Sequence, residues 1–138
     1  MARSYERTLT SIIAQASAAI TAGNLSAGSQ TVVNMESGEN ADGAEWLDCF
    51  INVTAAPSGG DATCTLYQAS YNGSAYADDG PDAYGEEALT VKIPDGVSGD
   101  LRLGPLFALP SRAQFKIGAT SYGFTASLII VPHYLSDT

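Results

Sequence analysis

The densest group of chemistry-bearing side chains is the run Asp78-Asp79-Gly80-Pro81-Asp82-Ala83-Tyr84-Gly85-Glu86-Glu87. Five carboxylates within ten residues, with two glycines among them, are the oxygen donors that a hard cation such as Ca²⁺ requires. Asp78, Asp79, Asp82 and Glu86 form a weak candidate set, because their spacing does not follow the EF-hand loop. The expectation is a solvated acidic loop between strands, with no metal and no cofactor. Tyr67, Tyr71, Tyr76 and Tyr84 surround this loop, and Asn72-Gly73 reads as a turn within it. Tyr67 is expected in the core. Tyr71 and Tyr76 are candidates for contact with a partner, since a tyrosine beside a turn offers an apolar ring with a polar tip.

Catalytic residue types are sparse. The only histidine, His133, follows Pro132 inside a strongly apolar C-terminal run. A general base or a metal ligand needs partners at a suitable spacing, and no motif supplies them, so His133 reads as structural or surface-exposed. Ser58-Gly59-Gly60 lacks the lysine and the strand–helix context of a phosphate loop. The expectation is a protein that is not an enzyme. Cys49 and Cys64 are the only cysteines. They fall in two strand-like runs, residues 47–54 and 62–70, joined by the turn-rich stretch 56–61. If that turn closes a symmetric hairpin, Cys64 lies opposite Val53 and Cys49 opposite Gln68. The two sulfurs then share a face without pairing, as free thiols in the core.

The charge balance narrows the choice of partners. The formal net charge is −9, and between Thr8 and Val91 there are eleven Asp or Glu and no Lys or Arg. An acidic body repels phosphate backbones, which argues against direct nucleic-acid binding. The uncharged stretch 8–35 is too rich in Ser, Thr, Asn and Gln to span a bilayer. Arg3 and Arg7 precede Leu9, Ile12 and Ile13 without forming the continuous apolar segment of a cleavable leader. These five residues are the candidate docking group, with Tyr71 and Tyr76 second.

The elements that must carry these residues read as strands. Leu47, Cys49, Ile51 and Val53 alternate with Asp48, Asn52 and Thr54. Leu89, Val91 and Ile93 alternate with Thr90 and Lys92, and Phe115 and Ile117 with Gln114 and Lys116. Phe124, Ala126, Leu128 and Ile130 oppose Thr125, Ser127 and Ile129. Period-two patterns separated by Gly, Pro, Asn and Asp predict half-buried antiparallel strands, about seven or eight in all. The class is all-β, an antiparallel β-sandwich with jelly roll as one form of it. Residues 1–35 read as an N-terminal arm, extended or partly helical, ending in a first strand at 30–35. Residues 36–138 form the sandwich body of what is overall a single domain. Leu9, Ile12, Ile13, Ala16, Ala19 and Ile20 fit a helical face as well as an extended one. Ile129 and Val131, opposite the core-facing Ile130, are candidates for a subunit contact.

Several of these segments together resemble small virion structural proteins of tailed bacteriophages. The resemblance rests on Cys64-Thr-Leu-Tyr-Gln-Ala-Ser70, Tyr71-Asn-Gly-Ser-Ala-Tyr-Ala-Asp78, Gly104-Pro-Leu-Phe107, Phe115-Lys-Ile117 and the closing apolar strand, with Ala27-Gly28-Ser29-Gln30-Thr31 near the start. It covers residues 24–134, and its motifs are turn and strand signals without invariant chemistry. The chain departs from the pattern at Gly118-Ala119-Thr120-Ser121-Tyr122-Gly123, where an Asn-Ser segment is typical, and in its long uncharged N-terminal stretch. The resemblance implies a capsid decoration, or cement, protein located in the virion. Its partners would be the major capsid protein or other virion proteins, and it would act as a homo-oligomer. A carbohydrate- or receptor-binding sandwich module, tail-associated, is the alternative.

Overall fold

The computed structural model describes residues 10–70, 86–107, 109 and 111–134. They form eight strands: β1 (Ile12–Ile20), β2 (Val33–Asn34), β3 (Trp46–Ala55), β4 (Ala62–Ser70), β5 (Glu86–Ile93), β6 (Gly99–Leu106), β7 (Arg112–Thr120) and β8 (Phe124–His133). Two antiparallel four-stranded sheets, β1-β8-β3-β6 and β2-β7-β4-β5, pack face to face as a β-sandwich. The pairings β1·β8, β2·β7, β3·β6 and β4·β5 are nested, as in one long hairpin rolled up on itself. That strand order is the jelly roll.

The alternation read from the sequence fixes the inner faces. Along β8, buried and half-buried residues alternate without a break over all ten positions. Leu47, Cys49, Ile51 and Val53 from β3 meet Cys64, Leu66, Phe115 and Ile117 from the opposite sheet in one continuous core. Each large apolar side chain buried there contributes about 1.5–3 kcal/mol.

The hairpin expected between residues 47–54 and 62–70 does not form. β3 pairs with β6 and β8, and β4 with β5 and β7, so the 56–61 connection crosses from one sheet to the other. It is anchored rather than tightly turned. Pro57 is fully buried and its carbonyl accepts the Gly96 N–H at 2.9 Å, while the Asp61 carboxylate accepts the Asp95 N–H at 2.9 Å. The Tyr122 ring lies so close over Gly60 that a Cβ there would stand 2.3 Å from it. Cys49 and Cys64 are therefore on opposing inner faces as buried free thiols. Burial pushes both up to about 12, and for Cys49 the Asp48 charge adds to the effect while Arg102 opposes it.

The helical alternative for the N-terminal region is also corrected: residues 12–20 are strand, paired with β8. The helical spacing has a local cause. Register shifts on either side of Gln15 change the phase of the strand, so Ala14 and Gln15 are both buried in succession. A bulge of this kind turns a period-two pattern into one that mimics a helix. The strand expected at 30–35 is present only as the two-residue β2.

Gln15 closes one side of the sandwich. Its Oε1 accepts the Ile117 N–H at 3.0 Å and its Nε2 donates to the Ser26 carbonyl at 3.4 Å. The Gly23 and Ser26 N–H groups donate to the Ala119 and Ile117 carbonyls, both at 2.8 Å, and Gln30 Nε2 donates to the Phe115 carbonyl at 2.7 Å. Residues 22–30 thus stand in for a strand along the edge of β7. The same segment also passes close to β1 at Gly28, where a Cβ would meet the Ala16 carbonyl oxygen at 2.3 Å. On the other side, β5 and β6 end their sheets with no further strand among the described residues.

Candidate interaction face

Once the inner faces are assigned, the outward residues of each sheet follow from register. Across β1-β8-β3-β6, one row reads Ile13, Ile129, Phe50 and Arg102. The next contains Val131, Asp48 and Pro105, and the next pairs His133 with Trp46. Ile13 is 60 % exposed, and Ile129, Phe50 and Val131 are half-buried. Trp46 stacks on His133 with ring centroids 3.9 Å apart and planes 12° apart, and Phe107, 70 % exposed, lies 5.8 Å from Trp46. These rows make a continuous apolar and aromatic surface on one end of the sheet. The other end is polar: Asn52 donates to Asp100 at 2.7 Å and pairs across with Ser127.

A single ion pair is set into the apolar surface. Arg102 Nε donates to Asp48 Oδ1 at 2.8 Å, with Asp48 nearly buried and Arg102 half exposed. The pair lets a carboxylate sit among apolar neighbours with its charge matched, and it leaves the surface around it locally neutral. The face as a whole has the composition of a contact surface, with an apolar and aromatic centre, one arginine and polar residues at the margin.

The outer face of the other sheet contrasts with it. Its rows read Lys92, Thr63 and Thr120, then Thr90, Thr65 and Gly118, then Glu87, Tyr67 and Lys116. Tyr67, expected in the core, is half-buried on this outer face instead. There, with Leu25, it packs over Gly118 and lines a hollow of about 210 Å³ shared with Gly23, Asn24, Ala119 and Thr120.

Of the docking residues expected from the sequence, Ile12 points into the core at 8 % exposure and Ile13 lies on the apolar face. Ile129 and Val131, expected at a subunit contact, lie beside it. Arg3, Arg7, Leu9, Tyr71 and Tyr76 fall outside the described residues, as do the cation candidates Asp78, Asp79 and Asp82. For Glu86 the structure gives its backbone pairing with Gln68. Among the described residues no three His, Cys, Asp or Glu side chains converge on a metal position, and no helix is long and apolar enough to cross a membrane. Trp46, Phe50 and Phe107 were missed as site residues. The signal was present: by the alternation of β3, Trp46 before the inward Leu47 and Phe50 between the inward Cys49 and Ile51 both fall on the outward side.

Comparison with family models, with characterised proteins and with solved structures finds no match.

Proposed function

We propose that this chain is a non-enzymatic structural protein of a tailed-phage virion, a capsid decoration protein that attaches to the shell in many copies and stabilises it. The observation that carries the reading is the contrast between the two outer faces: one is apolar and aromatic around a neutralised ion pair, the other is mainly threonine and charge, with Tyr67 and Leu25 its apolar exceptions. A sandwich whose second face is apolar without belonging to its own core is suited to burying that face against a partner. The jelly-roll strand order and the turn and strand segments noted in the sequence support the same reading, since capsid components use this architecture, as do lectins.

As a cement protein the chain would bridge neighbouring capsomers and add contact area that resists internal pressure. Each attachment can be modest, because a copy held at two points gains from effective concentration. The test is sedimentation of particles from a lysate of the source that encodes the chain, probed with an antibody to it. The chain is expected in the particle fraction, with particles lacking it releasing their nucleic acid at lower temperature. A chain that stays wholly in the supernatant while tailed particles sediment contradicts the reading.

A further inference from the structure

We infer that the apolar outer face of the β1-β8-β3-β6 sheet docks a protein surface with an apolar centre and a basic rim, and that it does not dock a second copy of this chain. This names the partner's chemistry for the attachment reading above and rests on it. Three observations argue for that occupant over a second copy.

The first is charge. The apolar rows are neutral because Arg102 is paired with Asp48, but the margin carries the exposed carboxylates Glu45 and Asp100. Glu45 sits at the aromatic end, its N–H donating to the His133 carbonyl at 2.8 Å, and Asp100 sits at the polar end beside Asn52. Two copies placed face to face would bring these acids together on bodies of net charge −9 each. Such contacts lie inside the screening length of about 8 Å at physiological salt. Lysines or arginines around an apolar centre would neutralise the same groups.

The second is area. Ten residues of β8 and four strands give the whole outer face a size of roughly 600 Å². Stable interfaces bury about 600–1,000 Å² per partner, so this face alone stands at the small end of that range. A larger partner that extends past the sheet margin supplies more.

The third is the open edge. The outer strand of this sheet, β6, carries Pro105 and a register shift opposite Gly104, whose φ is +137°. Missing donors and bulges on an edge strand oppose pairing between copies, so the sheet is not built to extend itself sideways either.

Trp46 is the only tryptophan in the chain and lies on this face, so its fluorescence reports occupancy directly. The probes are a short amphipathic peptide of leucine and lysine, its leucine–glutamate counterpart, and the chain itself at high concentration. The lysine peptide is expected to shift Trp46 emission saturably, to bind about tenfold more weakly at about 0.5 M NaCl, and to lose about tenfold in affinity on Ile13→Asn. Ile13 is mostly exposed, so that variant keeps its fold. Glu45→Gln is expected to weaken the lysine peptide about twofold. Sedimentation velocity should show a 14.3 kDa monomer. Equal binding of the glutamate peptide, indifference to salt or to Ile13→Asn, or a dimer that Ile13→Asn dissolves would each overturn the inference. If the lysine peptide binds this face but the chain never sediments with particles, the virion reading fails and the inference stands. Sedimentation with particles by a chain that ignores the lysine peptide gives the reverse.

Discussion

The two outer faces of this sandwich are built from the same kind of strand and differ in what they present to solvent. Both sheets bury their inner residues in one core, and both have a central pair of long strands, β8·β3 and β7·β4. Yet the outward rows of one show Ile13, Ile129, Phe50, Val131 and Trp46, and those of the other Thr63, Thr90, Thr120, Lys116 and the half-buried Tyr67. Threonine satisfies the β preference for branched side chains while keeping a polar face to water. The chain therefore had a soluble way to finish a sheet and used it once. The contrast sets the proposed attachment surface apart without reference to any motif.

The comparison is tested most severely on β8, where neighbouring residues belong to opposite sides. Leu128 is fully buried in the core and Ile129 faces outward. Leu128→Ala is expected to cost about 2–5 kcal/mol of stability, read by denaturant or thermal melting, while leaving the outer face able to bind. Gln15→Ala comes next. It leaves the Ile117 N–H and the Ser26 carbonyl without their side-chain partner on the closed side, at a cost of about 2–4 kcal/mol. Faster amide exchange at Ile117 would localise that loss. Ile129→Asn should invert the Leu128→Ala result, losing roughly tenfold or more in association with a stability change of about 1 kcal/mol.

Alkaline pH separates the core from both faces. Cys49 and Cys64 rise from an ordinary value of 9.0 to about 12 on burial. Below pH 9 both are protonated whether folded or not. Between 9 and 12 the unfolded chain loses its thiol protons while the folded chain keeps them, so stability falls as pH rises. The slope is about 1.4 kcal/mol per pH unit for each thiol, and a Cys49→Ala, Cys64→Ala chain should show a shallower decline through that window. The smallest effect belongs to the polar face: Thr63→Asp is expected to change neither association nor stability by more than about 0.5 kcal/mol.

Much of this was legible in the sequence, and the parts that were not have specific causes. Alternation identified the inner faces of β3, β7 and β8 and placed Ile129 and Val131 outside, because side-chain direction is a local property of a strand. Which strand pairs with which is not local. The 56–61 stretch has turn residues suited to a hairpin, and only the buried Pro57 and the Asp61 anchor to Asp95 reveal a crossover between sheets. The bulge at Gln15 hid β1 behind a helical spacing. The apolar face was half visible for a similar reason: Ile13, Ile129 and Val131 come together only through the register of β1, β8 and β3, which also brings Phe50 and Trp46 beside them.

The central claim is that attachment goes through this face, and Trp46 lies on it. The most direct measurement is therefore the emission of Trp46 as the chain is added to tailed-phage particles, compared with the Ile13→Asn and Thr63→Asp variants. Burial of the face predicts a shift to shorter wavelength on binding, displaced to about tenfold higher concentration by Ile13→Asn and unchanged by Thr63→Asp. A chain that binds with Trp46 emission unaltered, or that loses binding through Thr63→Asp and keeps it through Ile13→Asn, would contradict the account.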